Sequence, residues 1–134
     1  MPGKGHFLMG IRQHVDEWLA AHGETVIGWR RHFHTHPELS HQERHTTEFI
    51  TTVLREHGMT PTLFPTTGLM VDIGPGVGPR IAFRADLDAL PIEETAPVAF
   101  RSASPGVMHA CGHDVHTAIV LALACALNTY PLTV

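Results

Sequence analysis

Residues 109–116 are the part of the chain whose residue types are best suited to chemistry. The octapeptide reads His-Ala-Cys-Gly-His-Asp-Val-His, with three histidines, one cysteine and one aspartate. Imidazole, thiolate and carboxylate groups are the usual protein ligands of zinc and related metals. Cys111 and His113 are two residues apart, so they do not share one face of a helix. The pattern predicts a loop that carries Cys111 and leads into a helix beginning near His113 or Asp114.

Two kinds of chemistry are open to this cluster. The neighbouring His109, Asp114 and His116 favour a metal site, although a Cys-x-His pair by itself also suits a buried cysteine beside a surface histidine. A thiolate nucleophile activated by histidine uses the same residue types. The two-residue spacing within a loop does not favour the side-chain contact that such a pair needs.

Asp86 and Asp88 form a second candidate group, directly after a segment, 80–85, that is predicted to be a buried central strand. In an extended segment, residues two apart point the same way. Paired carboxylates bind a metal, orient a histidine ligand or do acid–base work. The alternative is a turn, where aspartate is common. Since ligands of α/β folds gather beyond the carboxyl ends of strands, both groups are expected to meet at one site.

Histidine is over-represented, with twelve copies in 134 residues. Its charge changes near neutral pH, so the net charge of the chain depends strongly on pH. Several histidines lie between residues 32 and 45, and His32 and His36 have the i,i+4 spacing of a helical metal pair. A solvated face around a helix end is the alternative interpretation.

Hydrophobic spacing and helix-capping signals predict the elements that position these residues. Helices are expected at roughly 11–34, 41–57 and 113–128, the second opened by a capping box at 40–43 and the third buried. Strands are expected near 60–64, 69–73 and 80–85, with another beginning at 130–134. This order indicates the opening of an α/β domain.

Composition excludes several classes of partner. The formal net charge of −4 gives no reason to expect nucleic acid or an anionic membrane surface. The longest apolar run, 118–127, is too short to span a bilayer, and no signal peptide is evident, so the cytoplasm is the expected location. Two cysteines are too few for a disulfide scaffold, and Cys125 is expected to be a small buried hydrophobe.

Four segments together resemble the amidohydrolases of the M20 peptidase family, in the branch with hippurate hydrolases and plant auxin–amino-acid hydrolases. They are residues 29–40 with Glu43, 67–69, 83–94 and 108–118, in the family's order and with similar spacing. The resemblance implies an α/β fold, with helices flanking a mixed sheet. It further implies that residues 1–134 are the N-terminal portion of a zinc-peptidase catalytic domain, incomplete and without the family's lid domain.

The resemblance also implies a site that holds two divalent metal ions, zinc, manganese, cobalt or nickel. Cys111 would be a bridging thiolate ligand and His113 a terminal ligand, while Asp88 matches the catalytic aspartate that orients a metal ligand. Asp86 stands where other branches carry a metal-binding histidine, so it is not counted as a ligand. The implied substrate is an N-acyl amino acid such as hippurate.

The general-base glutamate and the remaining ligands of the family are expected beyond residue 134, so this chain alone is expected to be inactive. The alternative is a truncated, non-catalytic remnant that acts as a metal-binding or interaction module. A cysteine-based hydrolase or redox protein that uses Cys111 is a third reading. The resemblance leaves the oligomeric state of the whole protein open, with a homo-oligomer as one option.

Overall fold

Three helices and one short pair of strands make up the computed structural model, which describes residues 4–132 and the side chains from residue 10 onward. In chain order the elements are α1 (Lys4–Thr35), α2 (Arg44–Glu56), β1 (Thr62–Leu63), β2 (Leu69–Met70) and α3 (His113–Asn128). The prediction for α3 is confirmed, and that for α2 is confirmed apart from its ends. Helix α1 begins earlier than predicted and continues through Gly23 without a break.

The core lies where α1, α2 and α3 meet. Trp29 and Phe33 on α1 pack with Leu54 of α2 and with a row of small residues on α3 that includes Ala122 and Ala126. Small side chains let the helix backbones approach closely, and the full burial of one large side chain such as Phe33 contributes roughly 1.5–3 kcal/mol. Cys125 is fully buried in the same cluster, as predicted.

The predicted capping box before α2 does not form. Helix α2 begins after Glu43, whose side chain makes no capping bond and instead accepts a hydrogen bond from Oγ1 of Thr67 at 2.7 Å. Glu38 caps the helix from a distance: its carboxylate accepts hydrogen bonds from the backbone N–H of His45 at 3.1 Å and of Thr46 at 2.8 Å. A carboxylate at a helix N-terminus satisfies free N–H groups and complements the helix dipole.

The strand predictions were only partly right. Strands β1 and β2 pair in antiparallel register, with Thr62 opposite Met70 and Leu63 opposite Leu69, but each is two residues long. The buried strand predicted at 80–85 is wrong, because that segment is extended loop, with Ile81 84% and Phe83 60% exposed. A strand needs a hydrogen-bonding neighbour, and no described residue pairs with 80–85. Residues 130–132 are not a strand, and 133–134 lie outside the described residues.

Two isolated bridges fix the loop that precedes α3. Leu39, just after α1, pairs in parallel with Ala89, and Leu90 pairs antiparallel with Met108. These bridges hold the segment that contains Asp88 against the segment that leads into residues 109–113. Asp88 therefore lies against the start of α3, although no long strand brings the two segments together. Within residues 4–132, no helix is long and apolar enough to cross a membrane.

Candidate metal centre

The loop-to-helix junction at residues 111–113 has the predicted form. Gly112 is the N-cap of α3, with a left-handed φ of 83°, and its carbonyl accepts hydrogen bonds from the N–H groups of Val115 and His116. A residue with a side chain would be strained at this φ. Cys111 lies exposed on the loop side of the junction, and His113 begins the first turn of the helix. The glycine thus separates a free thiol from a helical imidazole.

Asp88 holds the imidazole of His113 through two of its atoms. Nδ1 of His113 lies 2.8 Å from the main-chain oxygen of Asp88 and 3.0 Å from its Oδ1. Both partners accept hydrogen bonds, so Nδ1 carries the proton and donates it. The lone pair on Nε2 is then available to a metal ion. Metal-binding histidines are commonly oriented in this way, with the second nitrogen donating to a carboxylate or carbonyl.

Asp86 takes a different position from Asp88. Its Oδ1 accepts hydrogen bonds from Nε and Nη2 of Arg84 at 3.0 and 2.7 Å. The hydrogen bond and the positive charge of Arg84 lower the pKa of this exposed carboxyl. The two aspartates therefore do not act as a pair, and only Asp88 contacts the histidine.

The predicted meeting of Asp88, Cys111 and His113 is found for Asp88 and His113. In the part of the chain that the structure describes, no three histidine, cysteine, aspartate or glutamate side chains are gathered closely enough to hold a metal ion. The donor chemistry of Cys111 and His113 fits a transition metal, since one offers an exposed thiol and the other a free Nε2. Metal sites normally have three or four protein ligands, so these two residues fit part of a ligand set.

A buried charge network lies beside this junction, and sequence reasoning missed it. His34 on α1 places Nδ1 2.8 Å from Oδ2 of Asp114 and Nε2 2.8 Å from Oε1 of Glu94. The guanidinium of Arg30, one turn before His34, lies with Nε 2.8 Å from the same Oδ2 of Asp114. That contact is an ion pair without an aligned hydrogen bond, since Arg30 Nε has no hydrogen-bond partner. Phe100 covers the network, with Arg30 stacked 4.9 Å above its ring.

We call Arg30, His34, Glu94 and Asp114 the buried network. Glu94 and His34 are 3% and 6% exposed, so the solvated-face interpretation of the histidines between residues 32 and 45 does not hold for His34. Burial would raise the pKa of Glu94, but hydrogen bonds from His34 and from the N–H of Ser102 lower it overall. The i,i+4 spacing of Arg30 and His34 was the one sequence signal for the buried network. Their partners, Glu94 and Asp114, are far away in the chain.

His109 is buried beside the buried network without a hydrogen bond. It is 5% exposed, and neither ring nitrogen has a partner among the described residues. Burial lowers its pKa, and the charges of Asp114, His34, His113 and Asp88 act on it as well. The imidazole is therefore near enough to both the buried network and the His113–Asp88 pair for their charges to act on it. Buried unpaired nitrogens are unusual and point to a partner such as water or an ion.

His32 and His36 come together as their spacing predicted. Their ring centroids are 4.7 Å apart, and His32 stacks on Phe49 at 4.0 Å. Both histidines line an open cavity of about 520 Å³ between α1 and α2. Burial, followed by the charge of His36, lowers the pKa of His32. No third metal-binding side chain completes a group with this pair within the described chain, so the solvated-face interpretation fits better.

Comparison with known proteins agrees with this geometry. Residues 82–132, which contain the His113–Asp88 pair, match Peptidase family M20/M25/M40. The N-acyl-L-amino acid amidohydrolase of Geobacillus stearothermophilus is 52% identical over 116 residues, which are 85% of this chain and 30% of that protein. Among solved structures, the YxeP protein of Bacillus subtilis, described as a dinuclear metal binding peptidase from the M20 family, superposes with a TM-score of 0.77. It is 45% identical, and the match covers 81% of this chain and 32% of that one.

The fold and the site thus define part of a metallopeptidase-like α/β domain. The chain belongs to the M20 peptidase family. It spans about a third or less of the length of the relatives it matches. One further relative, a Rhodococcus jostii protein named for glutamate–cysteine ligase, is 50% identical over 109 residues, but the match covers only 14% of that protein. Because so little of that protein is matched, its name does not indicate a ligase function for these residues.

Proposed function

We propose that this chain supplies part of the metal site of a hydrolase that cleaves the amide bond of N-acyl amino acids. The observation that carries the proposal is the His113–Asp88 pair, in which Nδ1 is held by 2.8 and 3.0 Å contacts and Nε2 is left free. The exposed thiol of Cys111 lies two residues away. The likeness to an N-acyl-L-amino acid amidohydrolase supports the substrate class, with hippurate-like compounds as candidates.

In this proposal Cys111 would hold divalent ions through its thiolate and His113 through Nε2, with two ions per complete site and zinc, manganese, cobalt or nickel as candidates. When bound, the ions would supply Lewis-acid chemistry that activates water and polarises the scissile carbonyl. Asp88 keeps the proton of His113 on Nδ1 and fixes the plane of the ring. Gly112 allows the turn that places the thiol and the imidazole on either side of the helix start.

We further propose that residues 1–134 are the N-terminal portion of the catalytic domain. The general-base glutamate, the remaining ligands and a lid domain would then lie in sequence that the relatives have and this chain does not include. Two observations support this proposal: the chain covers 30% of its amidohydrolase relative, and residues 80–85 lack a strand partner within residues 4–132. A cytoplasmic location and a small-molecule substrate belong to the same proposal.

The test compares this chain with an extended chain that continues to the length of the relatives. Hydrolysis of hippurate and of N-acetyl amino acids would be measured with added zinc, manganese or cobalt. The 134-residue chain should be nearly inactive, because loss of a general base alone typically costs about 10²–10⁴-fold. The extended chain should be active and sensitive to chelator, and Cys111→Ala should abolish its activity.

Other outcomes would favour the competing functions. Full activity of the short chain that chelator does not affect would favour a thiol-based hydrolase using Cys111. An extended chain that binds metal without hydrolysing any N-acyl amino acid would favour a metal-binding or interaction module. Either result would overturn the proposed amide hydrolase.

A further inference from the structure

The buried network joins three separate parts of the chain at one histidine. His34 lies near the end of α1, Glu94 lies in the loop after Asp88, and Asp114 lies in the first turn of α3. Both hydrogen bonds are 2.8 Å long, and all three side chains are less than a tenth exposed. Bonds of this length among buried charged groups are strong and directional.

The charges of the network balance if His34 carries a proton on each ring nitrogen. Each ring nitrogen faces one carboxylate oxygen at 2.8 Å, and Nη2 of Arg30 lies 3.5 Å from Nδ1. The imidazolium and the guanidinium of Arg30 then match the two carboxylates of Glu94 and Asp114. A buried carboxylate without such partners would be costly, so these residues hold one another in place.

We propose that the buried network is a positioning device for the metal site, and that His34 is its central positioning residue. This inference rests on the proposed function. Asp114 directly follows His113, so a fixed Asp114 fixes the turn of helix from which His113 meets Asp88. Glu94 is six residues beyond Asp88 in the same loop, so His34 restrains both members of the His113–Asp88 pair. A histidine on α1 thereby sets the geometry of two residues it does not touch.

Two measurements on His34→Gln test the proposal. Glutamine keeps a polar side chain but cannot place one donor on each carboxylate in the geometry of an imidazole. In the extended chain, Co²⁺ binding would be followed by the thiolate-to-cobalt absorption band. The variant should bind Co²⁺ about 10–100-fold more weakly, the usual cost of losing a group that orients a ligand. The band should keep its position at saturation, because the ligands themselves are unchanged.

Two control variants separate positioning from general loss of stability. His22→Gln changes another α1 histidine, whose ring bonds to the main-chain oxygen of Trp18 and stacks on its indole. Val53→Ala weakens the core on α2, away from the junction. Both should bind Co²⁺ within about twofold of the unchanged protein. Equal affinity in a folded His34→Gln protein, or an equal loss in Val53→Ala, would overturn the proposal.

Hydrogen exchange on the 134-residue chain tests the same point without metal. The N–H groups of Val115 and His116, bonded to the carbonyl of Gly112, should lose protection in His34→Gln and keep it in His22→Gln. If the unchanged extended chain showed no thiolate-to-cobalt band, the proposed metal site would fail, and exchange would still decide whether His34 positions the helix start. Unchanged protection in His34→Gln would overturn the positioning role.

Discussion

Nδ1 of His113 lies 3.0 Å from Oδ1 of Asp88 and 2.8 Å from the main-chain oxygen of the same residue. Asp88 therefore orients the imidazole through both its main-chain oxygen and its side-chain carboxylate. Both side chains are about a quarter exposed, so the free Nε2 remains accessible from outside the domain. A ligand that is both oriented and accessible is what a catalytic metal site requires.

Replacement of Asp88 by asparagine in the extended chain should lower activity and metal affinity by about 10–100-fold, because the charge that fixes the proton on Nδ1 is lost. The measurement is kcat/KM for an N-acyl amino acid at several metal concentrations. Asp86→Asn is the matched control, since Asp86 contacts Arg84 and not His113. Equal losses in the two variants would show that Asp88 has no special role.

The two cysteines should differ sharply in reactivity. Burial raises the pKa of Cys125 to about 11, whereas Cys111 is exposed. Since the thiolate is the reactive form, iodoacetamide at neutral pH should modify Cys111 alone in the native chain, as mass spectrometry of peptides would show. Added zinc should slow the reaction if Cys111 is a metal ligand. Native labelling of Cys125, or labelling that survives Cys111→Ser, would contradict the structure.

Glu38, and not Ser40, should be the residue that caps α2 and stabilises its N-terminus. Its carboxylate accepts three hydrogen bonds, from the N–H groups of His45 and Thr46 and from the hydroxyl of Thr46. Glu38→Ala should therefore lower the free energy of unfolding by about 0.5–2 kcal/mol, as loss of a helix cap does. Urea denaturation would measure it. Ser40→Ala is the control, and a larger loss there would support the capping box instead.

Acid should weaken the fold partly through Glu94. The folded-state pKa of this carboxyl is lowered below its ordinary value of 4.5. A lowered pKa adds stability above pH 4.5, and that stability is lost as the pH falls through the folded-state value. Urea denaturation between about pH 7 and about pH 3 should show Glu94→Gln to be less stable at neutral pH and less sensitive to acid. Exposed Glu48→Gln should follow the unchanged chain at every pH.

Local sequence signals predicted the parts of the fold that local forces determine. Helix α3 follows from the apolar run after Asp114, and the thiol on a loop before it follows from the spacing of Cys111 and His113. Likewise, Asp88 was expected to orient a metal ligand, and it contacts His113. These features depend on neighbours in the chain or on a pattern of residues that is specific to one family.

The features that the sequence did not predict depend on distant partners. His34 is buried because it meets Glu94 and Asp114, which are 60 and 80 residues away in the chain. Glu38 replaces Ser40 as the cap because the chain turns back after α1. Residues 80–85 have the composition of a buried strand, but composition does not supply the neighbouring strand that would bury it.

The exposed segment 80–85 should make this chain prone to association. Ile81 and Phe83 are 84% and 60% exposed, and the segment has no strand partner among the described residues. Unpaired backbone groups beside apolar side chains favour pairing with another chain. Ile81→Lys should therefore reduce self-association, measured by light scattering or sedimentation over a range of concentrations. Its stability cost should stay within about 0.5 kcal/mol, because the side chain contacts little. Val77→Lys, at an exposed position outside the segment, is the control. If both substitutions reduce association equally, net charge and not the unpaired segment would be the cause.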